Sequence, residues 1–132
     1  MVEKISKLLK MTFLIHFFVS IFFGIVFLIM TQFYVDLIDW PYLDPVVGPL
    51  LGATFVGFAA SSLLAWRETD WIKVKIVVQM EIVWCALGSI VLITCFFLPN
   101  IDTLPLFTWV NIAILLAFCV LFIWLYFQQE RK

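Results

Sequence analysis

Charged residues are scarce in this sequence. They make up 13% of its 132 residues, whereas 65% are hydrophobic. A soluble domain usually carries about a quarter charged residues and is about half apolar. So few charges cannot cover a surface that faces water on all sides, and we therefore expect lipid to solvate much of the chain. The formal net charge of −1 leaves no basic excess, and no nucleic-acid partner is expected.

Residues for metal and redox chemistry are also few. His16 is the single histidine, which excludes a multi-histidine metal site within one chain. The three cysteines, Cys85, Cys95 and Cys119, lie inside apolar runs, so we expect small buried thiols and no disulfide framework. A redox pair of Cys85 and Cys119 near the membrane midplane is the alternative. CxxC, HExxH and phosphate-binding glycine motifs are absent from the sequence. The prediction is a protein with no cofactor, no metal and no enzymatic activity.

Long apolar runs are what the sequence does contain. They cover residues 11–33, 46–66, 75–98 and 106–127. Each is long enough to cross a bilayer core of about 30 Å, which takes about 20 helical residues. The runs are continuous rather than alternating, which favours helices over a membrane barrel. The first run follows three lysines, as in a signal peptide, but it exceeds the usual apolar length of about 7–15 residues and lacks a cleavage site. We read it as a retained helix.

The basic residues set the predicted orientation. All eight fall on one side of the four predicted spans: Lys4, Lys7, Lys10, Arg67, Lys73, Lys75, Arg131 and Lys132. The other side carries acids and no base: Asp36, Asp39, Asp44 and Asp102. Basic loops stay in the cytoplasm, so both termini are predicted to be cytoplasmic, in the inner or plasma membrane of the cell.

Short connections make consecutive helices antiparallel neighbours. The predicted fold is therefore an all-α integral membrane protein, an antiparallel up-down-up-down four-helix transmembrane bundle that forms a single domain over residues 1–132. Residues with cap and stop propensity support these helix ends. Asp44 before Pro45 is predicted to cap the second helix, Thr69 or Asp70 the third and Thr103 the fourth, and Pro99-Asn100 to end the third.

The segment 34–44 mixes aromatic and acidic residues. Tyr34, Trp40 and Tyr42 are typical of the headgroup layer, where amphipathic rings settle, and a solvated loop held there by its aromatic rings is expected. The alternative is a weak cation site formed by Asp36, Asp39 and Asp44, although their spacing matches no ordered calcium loop.

Small and polar residues recur at helical spacing. Helices associate in lipid through close packing and polar contacts, because lipid tails are as apolar as leucine. On the first helix, the residues at i, i+4, i+8 and i+12 form one stripe that we predict faces the bundle: Thr12, His16, Ser20 and Gly24. On the second helix, close packing is predicted along small residues, with a partner inside the chain or in a second copy: Gly48, Gly52, Gly57 and Ser61.

Glu81 is the one acidic residue inside a predicted span. Its depth, roughly 8–9 Å from the cytoplasmic boundary at about 1.5 Å per residue, matches that of His16 on the first helix. Ser61 and its neighbour Ser62 lie at a similar depth, and Tyr126 lies slightly nearer the surface. An ionisable residue within a membrane helix is a candidate functional site, so we predict a polar site in which His16 is the partner of Glu81. The alternatives are structural hydrogen bonding, solvation by headgroup water, and a contact with another subunit.

No family is identified by motif. The chain is similar to small four-span membrane proteins in size and topology, but the membrane glutamate of small multidrug transporters lies in the first helix, where this chain has His16. A non-enzymatic accessory, assembly or scaffold subunit is predicted, with the lipid bilayer and either a second copy or another membrane protein as partners. Two alternatives stay open: a small homo-oligomeric transporter or channel that uses Glu81 and His16, and a lipid- or quinone-binding module.

Overall fold

The computed structural model of the chain describes residues 4–40, 44–98 and 104–131. These residues form five helices and contain no strand: α1 (Lys7–Ile29), α2 (Thr31–Ile38), α3 (Val47–Arg67), α4 (Trp71–Cys95) and α5 (Phe107–Glu130). All except α2 are long enough and apolar enough to cross a membrane. The prediction of an all-helical chain with four such helices is confirmed for this part of the sequence.

The chain divides into two compact units. The first unit covers residues 10–67 and contains most of α1 together with α2 and α3. The second unit covers residues 1–9 and 68–132 and contains the N-terminal segment, α4 and α5.

The helix α2 is absent from the predicted scheme, which has one helix to residue 33 and a loop after it. Instead, α1 ends at Ile29, the backbone leaves the helical conformation at Met30 (φ −120°, ψ 25°), and α2 continues to Ile38. The ring of Tyr34, predicted to lie in a solvated loop, is buried, with its centroid 4.9 Å from that of Phe27. The helical structure therefore extends beyond the apolar run, and the ring of Tyr34 packs α2 against α1.

The end of α2 has its own stop signal. Asp39 adopts the left-handed conformation (φ 56°), which aspartate tolerates better than most residues. The backbone N–H of Trp40 donates to the carbonyl of Val35 at 3.0 Å, which satisfies one carbonyl of the last turn.

The three acidic residues of this region do not form the cation site considered above, and that alternative is wrong. The carboxylate of Asp36 accepts from the side-chain amide of Gln32 at 2.8 Å, within α2. The carboxylate of Asp44 accepts from the N–H groups of Val46 and Val47 at 2.7 and 2.9 Å, as predicted for a cap at the start of α3. These N–H groups, that of Val47 first, hold the pKa of Asp44 below its ordinary value. Nowhere in the described ranges do three His, Cys, Asp or Glu side chains lie together as metal ligands would.

The start of α4 has the predicted cap. Asp70 is extended (φ −101°, ψ 121°), and its carboxylate accepts from the N–H of Ile72 at 3.1 Å. The start of α5 is different, because its N-cap is Leu106 and no side chain bonds to the first turn. Six residues singled out from the sequence lie outside the described ranges: Tyr42, Pro99, Asn100, Asp102, Thr103 and Lys132.

Each unit contains a pair of long helices in contact. In the first unit, a Cβ placed on Gly24 of α1 would lie 2.9 Å from Val56 of α3, and one on Gly52 would lie 2.5 Å from the backbone nitrogen of Leu28. Later residues of α1 thus meet earlier residues of α3. Glycine is required where the two backbones approach this closely, because any side chain would collide with the facing helix.

In the second unit, the beginning of α4 meets the end of α5. The indole of Trp71 reaches Glu130, and the ring of Phe96 stacks on Trp109 with centroids 4.6 Å apart. The contacts that lie between these two positions hold α4 and α5 together along most of their length.

Candidate functional site

The predicted polar stripe of α1 is buried. Thr12, His16 and Ser20 are each 5% exposed or less, and Gly24 is buried one turn further along. Within the first unit, the Nδ1 atom of His16 lies 2.8 Å from the hydroxyl of Ser62 on α3, and Nε2 lies 3.4 Å from the hydroxyl of Ser20. The stripe therefore faces inward, as predicted, and carries a buried hydrogen-bond network.

These two hydroxyls match a neutral imidazole. In its neutral form one ring nitrogen donates and the other accepts, and a serine hydroxyl can do either. Protonation would give the ring two N–H donors and a buried charge, which is costly away from water. In the first unit, His16 thus links α1 to α3 through Ser62.

The hydroxyl of Ser61, which was predicted to belong to the polar site, has a different role. It donates to the carbonyl of Phe58 within α3 at 2.9 Å, and the side chain is half-buried. Adjacent helical residues point about 100° apart, so only one of two neighbouring serines can face α1. Depth alone did not distinguish Ser61 from Ser62.

Glu81 is fully buried in α4, in the second unit. It lies on a stripe of buried residues at i, i+4 and i+8 with Cys85 and Ser89, and the Ser89 hydroxyl donates to the Cys85 carbonyl at 2.8 Å. Cys119 of α5 places its sulfur 3.9 Å from the carbonyl of Ile82. Because His16 and Glu81 belong to different units, their predicted contact stays a prediction.

Tyr126, the fourth predicted member, belongs to a network between α4 and α5. Its hydroxyl accepts from the amide of Gln79 at 3.2 Å, and the ammonium of Lys75 lies 5.6 Å from the ring centroid. Glu130 completes the network by accepting from Lys75 at 2.7 Å and from the Trp71 indole at 2.8 Å. Sequence reasoning missed Glu130, because its partners are 55 and 59 residues away and it lies beyond the predicted end of the last helix.

The fully buried Gln129 connects the two ends of the chain. Its side-chain carbonyl accepts from the N–H of Ser6, and its amide donates to the carbonyl of Lys4, both at 3.2 Å. The N–H of Ile5 donates to the carbonyl of Thr69 just before α4. The N-terminal segment, the start of α4 and the end of α5 therefore meet at one end of the second unit. Helical spacing is the sequence signal that could have identified Gln129, since this residue continues the buried face of α5 by one turn from Leu125.

The small residues of α3 divide between two faces. Gly48 and Gly52 are buried, and Gly52 lies against the backbone of α1. Gly57 is exposed, and a Cβ built on it meets no described atom within 4 Å. Ala53 and Ala60 are also exposed, one turn to either side of Gly57. We call Ala53, Gly57 and Ala60 the open face of α3.

No protein-family model, no curated protein and no solved structure matches the chain.

Proposed function

We propose that the protein is a non-enzymatic membrane subunit that assembles with another membrane-spanning helix through the open face of α3. The observation that carries this proposal is the free space at Gly57. In lipid, small residues favour association because they let two backbones approach and gain packing contacts. A second helix can reach Ala53, Gly57 and Ala60 as closely as α1 reaches Gly52.

The chemistry of the buried polar groups supports a structural role. The hydroxyls around His16 form internal hydrogen bonds, and the Lys75–Glu130–Trp71 contacts hold α4 to α5. Four helices apolar enough for a membrane support insertion, and the one-sided distribution of basic residues supports cytoplasmic termini. The partner is a second copy of this chain or another membrane protein.

Site-specific photo-cross-linking in native membranes tests the proposal. A photoreactive amino acid at position 57 should give a protein adduct, whose mass identifies a second copy or a different subunit. The matched control is position 113, because Ala113 is also a small, exposed residue within a long apolar helix, α5. Adducts with lipid alone at both positions would contradict assembly through α3.

A further inference from the structure

The outward side of α5 carries a long apolar groove. It consists of two adjoining shallow cavities, both open to the outside, that share Val120 and Trp124, and the larger has a volume of about 580 Å³. One face of the helix lines most of the larger cavity, at a spacing of three and four residues: Val120, Ile123, Trp124, Phe127, Gln128 and Arg131. The smaller cavity extends the lining to Leu116. We call this surface the α5 groove.

The α5 groove has the length of a lipid tail and a charge at one end. Its apolar part, from Leu116 to Phe127, runs about 16 Å at about 1.5 Å per residue. One leaflet contributes about 15 Å of hydrocarbon, half of a core of about 30 Å. The lining is apolar along this length and becomes polar only at Gln128 and Arg131, which lie at the same end as the lysines of the N-terminal segment and α4.

The charge of Arg131 is not neutralised by the adjacent acid. Both carboxylate oxygens of Glu130 are occupied by groups on α4, one by the indole of Trp71 and the other by the ammonium of Lys75. Glu130 therefore turns toward α4, whereas Arg131 is exposed and lines the groove. A guanidinium presents several N–H donors in a planar fork that suits phosphate oxygens, and the Gln128 amide adds a neutral donor.

On the premise of the membrane insertion proposed above, we infer that the α5 groove binds one anionic phospholipid of the cytoplasmic leaflet. Its acyl chain lies along Val120, Trp124 and Phe127, and its phosphate is held by Arg131 and Gln128. A zwitterionic lipid can fill the apolar part of the groove, but the cationic group in its headgroup repels Arg131. This repulsion offsets the attraction between Arg131 and the lipid phosphate. The preference for an anionic headgroup is therefore the distinguishing property.

Fluorescence quenching by lipids with brominated acyl chains tests this assignment. The full chain is reconstituted in phosphatidylcholine vesicles in which a minor fraction is brominated phosphatidylglycerol or brominated phosphatidylcholine. The Trp124 contribution is the quenching lost in Trp124→Phe. Trp109→Phe is the matched control, because Trp109 is 54% exposed on the same helix, compared with 52% for Trp124, but lies outside the groove.

In the wild type, brominated phosphatidylglycerol should quench the Trp124 contribution more strongly than brominated phosphatidylcholine, and the Trp109 contribution should show no such difference. Arg131→Gln should reduce the preference about fivefold, the factor that corresponds to about 1 kcal/mol per basic residue at a membrane surface. Arg131→Lys should keep part of it. Lys73→Gln should leave it unchanged, since Lys73 is an exposed base near the start of α4 that pairs with Glu68.

Equal quenching of Trp124 by the two lipids, or a preference that survives Arg131→Gln, would overturn the lipid assignment while leaving membrane insertion intact. Failure of both brominated lipids to quench any tryptophan would instead overturn insertion, and with it the proposed function.

Discussion

Ser61 and Ser62 are adjacent, chemically identical and equally deep in the predicted span, yet their hydroxyls have different partners. Ser62 bonds to His16 across the α1–α3 contact, whereas Ser61 bonds to a carbonyl of its own helix. Only the first of these bonds connects two helices. Comparing substitutions at the two serines therefore measures how much an interhelical hydrogen bond contributes to the stability of this protein.

We expect Ser62→Ala to destabilise the chain and Ser61→Ala to have little effect. Interhelical hydrogen bonds in membrane proteins contribute about 0.6 kcal/mol on average, with values up to about 1.7. Ser62→Ala also leaves a buried nitrogen of His16 without this hydroxyl, which places the expected cost toward the upper value. Unfolding by denaturant in mixed micelles measures both variants. Equal losses for the two serines would show that the bond to His16 adds nothing specific.

At the scale of elements, the short distance between α1 and α3 depends on two glycines. A side chain at Gly52 would meet the backbone of α1 at Leu28 and Phe27, which cannot move aside as a flexible side chain can. A side chain at Gly24 would meet Val56. The sequence motif that places Gly48 and Gly52 four residues apart did not say which helix would occupy the groove they form.

Gly52→Leu should destabilise the first unit by about 2 kcal/mol or more, because overpacking a tight contact typically costs about 1–3 kcal/mol. Gly57→Leu is the matched control for fold stability, since nothing described lies within 4 Å of its Cβ position. It should leave thermal stability in detergent nearly unchanged and weaken only assembly. A large loss of stability in Gly57→Leu would show that this face is packed within the chain.

At the scale of the whole molecule, one cluster of contacts concerns the orientation of the chain in the membrane. It joins Lys4–Ser6, Thr69–Asp70 and Gln129. The isolated bridge between Lys4 and Asp70 and the two bonds of Gln129 bring three separate basic parts of the sequence to one end of the second unit. This is the arrangement that the distribution of lysine and arginine favours for a cytoplasmic side.

Labelling of introduced cysteines with a membrane-impermeant reagent measures the orientation. In a Cys95→Ser background, a cysteine at Asp39 should react from outside intact cells, and one at Thr69 should react only after the membrane is opened. Both residues are exposed, and neither of their side chains caps a helix through a hydrogen bond. The reverse pattern would contradict the orientation inferred from charge.

The predicted pairing of His16 with Glu81 concerns the relation between the two units. A charged acid in a membrane costs about 2.5–3.5 kcal/mol at the centre of the bilayer and less near the interface, so a partner would stabilise Glu81. A double-mutant cycle on His16→Ala and Glu81→Gln should show a coupling of about 0.5 kcal/mol or more if the side chains meet. Additive effects within error would exclude the pair, and with it the transporter or channel alternative that requires both residues.

The sequence by itself determined the long helices, their apolar character and the inward stripe of Thr12, His16, Ser20 and Gly24. These features follow from local periodicity and from a composition that water cannot solvate. The caps at Asp44 and Asp70 were predictable for the same reason, because a cap bonds to N–H groups two or three residues away.

Only the tertiary structure decided which of two adjacent serines bonds His16, that Tyr34 folds into a fifth helix, and that Gln129 holds the N-terminal segment. Each of these features depends on partners that are distant in the sequence or on the packing of an aromatic ring. The local sequence pattern predicts neither. The open face of α3 is another feature that only the tertiary structure decided. In the sequence Gly57 looks identical to Gly52, but in the structure Gly52 lies against α1, whereas no described atom lies within 4 Å of a Cβ built on Gly57.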